Sequence, residues 1–215
     1  MLNLKSIYFY FLALQISLIK FAKKIYFSTN YYNKSLISET PQQFYFHPNP
    51  FLLSTITSYK KYSFKISKID PNIFWINQKN LKELGELHNF LWLNLIDRKN
   101  DGRSLQKIIN LWMFKHSKYK KHIWESSILS KRVISWILNA DIILNKERFE
   151  FKKNFLTSII QQANHLKKNI KFEKNYSNRI EILTALVLTG LVFKEYEDNY
   201  NIAIKELEKL IKNFF

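Results

Sequence analysis

The sequence predicts a mainly α fold, and three observations carry that prediction. Apolar residues recur at helical spacing: Leu81, Leu84, His88, Leu91 and Leu95 share one face, and Leu105, Ile108, Ile109 and Trp112 share another. Leu129, Val133, Trp136, Ile137, Ala140, Ile143 and Leu144 repeat the pattern. Breakers are scarce, with three Gly and four Pro in 215 residues, and every Pro falls between Pro41 and Pro71. Trp92, Trp112 and Trp136 sit on successive predicted helices, with Trp124 in a connecting segment. Aromatic anchors of that size imply helix-on-helix packing around one core.

Residues 1–27 read as an amphipathic helix in which Leu4, Ile7, Tyr8, Phe11, Leu12, Leu18 and Ile19 are followed by Lys20, Lys23 and Lys24. The apolar run from Ile7 to Ile19 is interrupted by Gln15 and Ser17 and is shorter than the ~20 residues a spanning helix needs. It shows no clear signal-peptide cleavage site, so the chain is compatible with a cytoplasmic or a periplasmic location. Packing on the domain's own core is expected; peripheral contact with an anionic membrane is the alternative.

Residues 28–79 are richer in Ser, Thr, Asn and Pro, and their apolar residues alternate as Phe44 and Phe46, Phe64 and Ile66, Ile73 and Trp75. Period two predicts short extended segments. His47-Pro48-Asn49-Pro50 requires a turn or extended loop, because each Pro pushes its predecessor out of the helical region. The expected organisation is therefore an N-terminal helix and arm over 1–79, draped on a helical domain over 80–215.

Within that domain, Asn80 with Glu83 resembles a capping box, Asp101-Gly102 marks a turn, and Ser104 is a plausible cap. A helix near 149–170 carries Phe155, Leu156, Ile159, Ile160, Ala163 and Leu166 on one face. Asn178 with Glu181 predicts another cap, opening the apolar segment Ile180–Phe193. Gly190 within it costs roughly 1 kcal/mol against Ala, so a close neighbour is expected there. A final helix over 201–214 presents Ala203, Leu207, Leu210, Ile211 and Phe214. Its Phe214-Phe215 ending either tucks into the core or awaits a covering partner.

A net charge of +17 attracts polyanions, although scattered surface Lys would give the same value without a partner. The densest basic run, 115–122, reads as a solvated helix end and loop. Lys167, Lys168, Lys171 and Lys174 complement a helix C-terminus. Aromatics at helical spacing look like core rather than base-stacking platforms, which argues against nucleic acid. Without Cys there is no disulfide and no thiolate chemistry. The five scattered His give no metal-ligand spacing, and no phosphate loop or nucleophile elbow is present, so no cofactor or metal is expected.

Candidate polar residues remain. His88 shares the apolar face of its helix beside Asn89, where a satisfied core role outweighs catalysis. Arg132, one turn before Trp136, can stack on a ring or bind a carboxylate, with Asp141 or Glu125 as structural ion-pair partners. Asn178-Arg179 stands at a predicted helix N-terminus suited to an anion, unless Asn178 is only a cap.

The order Leu87-His88-Asn89-Phe90-Leu91-Trp92-Leu93, Trp112, Trp124, Ser130-Lys131-Arg132-Val133-Ile134-Ser135-Trp136, then Arg179 and Leu183-Thr184-Ala185-Leu186-Val187-Leu188-Thr189-Gly190-Leu191, resembles the N-terminal helical part of heparinase II/III-like polysaccharide lyases. The resemblance covers roughly residues 70–215. It implies an incomplete (α/α) toroid of antiparallel helix pairs that in full-length members continues into more helices and a β-sandwich. Characterised members cleave acidic polysaccharides by β-elimination, with Asn and sometimes His neutralising the uronate carboxylate. Asn178 falls where such an Asn stands, and Arg179 occupies the usual His position. The Tyr and later His of those lyases have no counterpart in this sequence. The resemblance thus implies an acidic-polysaccharide-binding portion, inactive alone, with His88, Asn89, Arg132, Trp136, Asn178 and Arg179 as binding candidates and a separate chain supplying the rest.

Overall fold

The computed structural model describes residues 4–50, 52, 70–75, 81–96, 98–99, 102–145 and 149–212, without the side chains of residues 4, 5, 73, 74, 81 and 82. The chain is mainly helical. In order come α1 (Leu4–Ser28), α2 (Asn30–Ser35), α3 (Pro71–Phe74), α4 (Leu81–His88), α5 (Gly102–His116), α6 (Ser126–Leu138), α7 (Ala140–Ile143), α8 (Phe149–Asn169), α9 (Tyr176–Val192) and α10 (Glu197–Lys212). Short 3-10 turns cover Leu91–Leu95, Ile170–Phe172 and Lys194–Tyr196.

The apolar stripes of α5, α6, α8 and α9 converge in one core. Leu105, Ile108, Ile109, Trp112, Leu129, Val133, Trp136, Phe155, Ile159, Ala163, Leu183 and Leu186 are all buried within it. Side-chain contacts give the helix directions. His116 neighbours the loop that enters α6, whereas Gln106 bonds to Ile143 and Asn145 at the other end, so α5 and α6 run antiparallel. Arg132 meets Gln162 and Trp136 meets Phe155, which makes α8 antiparallel to α6. Asn178 in the first turn of α9 lies at one cleft with Ser126 and Ser127 in the first turn of α6, and Glu181 pairs with Lys131 further along, so α6 and α9 run the same way. The short turn after Val192 then reverses the chain into α10.

Gly190 permits that reversal. A Cβ at this position would lie 2.4 Å from the Tyr200 backbone nitrogen and 2.9 Å from its Cα, so α9 and α10 touch backbone to backbone. The close neighbour expected at Gly190 is Tyr200.

Several local boundaries differ from the sequence reading. The helix expected through Leu95 ends at His88, because Phe90 adopts a left-handed φ of 59°. Its ring is fully buried among Trp75, Trp92, Trp112 and Trp136, at 5.2 to 5.8 Å between centroids. That packing stabilises a conformation that ordinarily costs ~1–3 kcal/mol. Ser104 is inside α5, not its cap. Asn175 rather than Asn178 caps α9, its side chain accepting from the Asn178 amide at 3.1 Å.

Residues 36–45 lie against the helical body, without the predicted alternation. Phe44 is buried against Phe193, while Phe46 stays exposed, and no strand occurs among the described residues. The arm is tethered by polar contacts instead: Tyr45 donates to the Val192 carbonyl, Thr40 meets Thr157, and Asn164 donates to the Leu36 carbonyl. The pairs Phe64/Ile66 and Ile73, like Asn80, Asp101, Phe214 and Phe215, lie outside the described residues and side chains.

The larger correction concerns α1. Among its side chains from Ile7 to Tyr26 only Lys23 is other than exposed, so the helix does not pack on the core. Its C-terminal end is held, by Phe27 among the rings of Tyr32, Tyr119 and His165 and by Lys23 over the Phe172 ring at 3.6 Å. Among the described residues no helix is long and apolar enough to cross a membrane.

Gly190→Ala is expected to lower the melting temperature by several degrees, since an overpacked methyl costs about 1–3 kcal/mol beyond the gain in helix propensity. A thermal melt followed by circular dichroism checks this; an unchanged or raised midpoint would contradict the close helix crossing.

Candidate functional site

A buried guanidinium lies at the centre of the helical body. Arg132, fully buried on α6, donates from Nε to Gln162 Oε1 at 2.5 Å and from Nη1 to the His88 and Ile123 carbonyls at 2.9 and 3.2 Å. Its guanidinium carbon stands 4.3 Å from the Trp112 ring centroid. Nη2 meets no acceptor among the described residues. Of the expected interactions, ring stacking is present and the carboxylate is not. Asp141 is held by Arg98, whose Nη2 donates to both carboxylate oxygens at 2.6 and 2.7 Å, and Glu125 faces His122 at 3.5 Å. Burial pulls the Arg132 pKa well below its usual value. The group nevertheless stays protonated, because an arginine does not lose its proton in a protein.

The same desolvation keeps the neighbouring imidazoles neutral. His88 is fully buried, and its Nδ1 accepts from Trp112 Nε1 at 2.8 Å. Burial and then the Arg132 charge lower its pKa to about 3. His116, whose ring meets His88 edge-on at 5.0 Å, is lowered to about 4 by burial and then by Lys120. His165 on α8 is lowered to about 3 by burial and then by Arg132; its Nδ1 lies 2.7 Å from the Tyr32 hydroxyl. Trp136 completes the cluster, with its ring 5.2 Å from those of Trp112 and Phe90. His88, Arg132 and Trp136 therefore converge, but as core. Asn89 is a local cap whose Oδ1 accepts from the Leu91 amide at 2.8 Å.

Asn178 lies elsewhere, on the wall of a cleft of ≈ 400 Å³. The C-terminus of α8 and the N-termini of α6 and α9 meet here. Phe27, Tyr119, Trp124 and Phe172 supply aromatic walls, while Asn169, Ser126, Ser127 and Asn178 supply hydrogen-bonding groups. His165 also lines it, so one side of the cleft backs onto the Arg132 cluster. Lys23 and Lys121 line it opposite Glu125 and Glu173. Both acids have local partners: Glu125 faces His122, and Glu173 accepts from the Asn175 amide. Glu125, the residue before α6, makes no side-chain cap, and its carbonyl takes the Ile128 and Leu129 amides, so those of Ser126 and Ser127 stay available to an anion or a sugar oxygen.

Arg179 does not join Asn178. It points toward α10, where Nη2 lies 3.8 Å from Glu206. Adjacent helical positions diverge by about 100°, which turns Arg179 away from Asn178 toward α10. Sequence reading missed His165, Tyr119 and Phe172 as cleft residues. For His165 the only signal is an imidazole on the apolar stripe between Ala163 and Leu166. Wider concavities of ≈ 530 and ≈ 740 Å³ run between α5 and α8, and neither gathers a buried titratable group with several rings. Among the described residues no group of His, Asp and Glu could hold a metal.

Two predictions follow from this electrostatic arrangement. The buried imidazoles bind fewer protons folded than unfolded, so stability is complete above the unfolded pKa near 6.5 and falls as pH drops toward 3. By pH 5, His88 and His165 should each cost about 2 kcal/mol; denaturant titrations at pH 7 and 5 measure the loss, and His165→Gln should shrink it. Arg132→Lys should destabilise by about 2–4 kcal/mol, because an ammonium cannot reach three acceptors and also cover an indole face. Urea unfolding of the variant measures this loss.

Comparison with protein-family models, with curated proteins and with solved structures finds no match to this chain.

Proposed function

We propose that this chain is a helical saccharide-binding portion of the (α/α) toroid type, whose cleft takes a segment of an acidic polysaccharide. The alternation of directions supports the toroid reading: α6 and α9 run together inside, and α5, α8 and α10 run opposite to them. Ile180, Leu191, Ile202 and Ile211 stay exposed on α9 and α10, where further helices from a second chain could pack. The observation that carries the binding reading is the cleft itself, where Asn178 stands among aromatic faces and two lysines at the meeting of two helix N-termini.

The chemistry follows from those groups. Sugar rings offer apolar faces that lie on aromatic side chains, and hydroxyls that pair with amides. A uronate carboxylate adds charge-assisted bonds from an ammonium and from unpaired helix amides. The order of residues in the heparinase II/III-like resemblance supports the same substrate class. Binding, rather than bond cleavage, is the proposed role of this chain.

Isothermal titration with alginate and heparin oligosaccharides tests it. The full chain should bind both in preference to dextran of equal length. Asn178→Ala combined with Lys121→Ala should weaken binding by about tenfold or more, the loss of two polar contacts. Arg179→Ala should leave affinity unchanged. Binding that survives the double substitution would remove the cleft as the site.

A further inference from the structure

Helix α1 carries a second surface that the cleft does not use. Its 25 residues extend about 37 Å at the usual helical rise. Ile7, Tyr8, Phe9 and Tyr10 are 52%, 63%, 63% and 71% exposed. Four consecutive helical residues point in four directions, so the apolar surface surrounds the helix instead of forming a stripe. The pattern continues through Phe11, Leu14, Ile16, Leu18 and Ile19. Monomeric soluble proteins rarely leave so large an apolar area bare.

The arrangement of charge indicates what covers it. Lys20 and Lys24 are exposed toward the end of α1 next to the body, interleaved with the exposed Phe21, Ile25 and Tyr26. A helical partner or a second copy of the chain would bury one stripe and leave the other faces in water. Lipid surrounds an inserted helix on every side. The apolar portion from Ile7 to Ile19 extends about 20 Å, less than the ~30 Å of a hydrocarbon core and more than the half of it that one leaflet supplies, so the helix enters at a tilt. Phe, Leu and Ile are favourable in the hydrocarbon, and lysines toward the other end of the helix attract anionic lipid. Phe27, wedged among Tyr32, Tyr119 and His165, fixes the root of the helix to the body.

We infer that α1 is a membrane anchor: its apolar N-terminal portion enters one leaflet of an anionic bilayer, and Lys20 and Lys24 bind the headgroups. This assignment does not depend on the saccharide reading. Lys23 and Phe27 line the cleft, so anchoring would hold the cleft near the membrane surface.

Flotation of the full chain with vesicles of phosphatidylcholine plus phosphatidylglycerol tests the inference. The wild type should float with them, and Phe9→Asp with Phe11→Asp should weaken the association by more than about tenfold. Both positions are exposed, so the thermal melt of the double variant should match the wild type. Lys20→Glu with Lys24→Glu should abolish the preference for anionic over pure phosphatidylcholine vesicles. Failure of the wild type to float would overturn the anchor, as would undiminished flotation of the Phe variant. A stable dimer by light scattering that ignores vesicles and dissociates on Phe9→Asp with Phe11→Asp would also overturn it.

Discussion

The architecture depends on how one buried positive charge is accommodated. Arg132 meets no carboxylate among the described residues, so the desolvation of its guanidinium must be offset by acceptors and by a ring. The three acceptors come from different parts of the chain: the end of α4, the loop before α6, and α8. The ring belongs to α5. One side chain thus joins four separate segments, and moving any of them would leave a charged donor unpaired in the interior. The neutral His88 and His165 follow first from their own burial and then from this charge, because a second cation nearby would add repulsion.

The Trp and Phe rings determine how tightly these segments meet. Phe90 takes a left-handed backbone conformation so that its ring can stand among four indoles, which turns the chain after α4 and brings the His88 carbonyl to Arg132. Trp112 has two roles: it donates to His88 and supports the guanidinium with its face. The aromatic cluster and the polar cluster are therefore one assembly, in which apolar packing excludes water and hydrogen bonds fix the orientation.

The cleft inherits its form from this assembly. Ile123, whose carbonyl Arg132 holds, immediately precedes Trp124, and His165 lies one helical turn beyond Gln162. The core thereby positions two of the cleft's rings. Its other walls come from the root of α1, the loop residue Tyr119 and the turn after α8, elements distant in sequence. Such a site is prepared by the fold rather than by any motif, which is why Asn178 was legible as a candidate while His165, Tyr119 and Phe172 were not.

What the sequence determined alone is what periodicity and composition encode: a mainly helical chain, the core faces of α5, α6, α8 and α9, the loop around Trp124, and the close contact at Gly190. These are local properties, because a stripe or a costly glycine declares itself within a few residues. Tertiary structure alone decided where α4 breaks, which Asn caps α9, that Arg132 meets carbonyls instead of Asp141, and that α1 stays uncovered. Apart from the cap, which joins residues 175 and 178, each depends on residues far along the chain. An apolar helix reads the same whether the core or another medium covers it, and only the folded arrangement shows that the core does not reach α1.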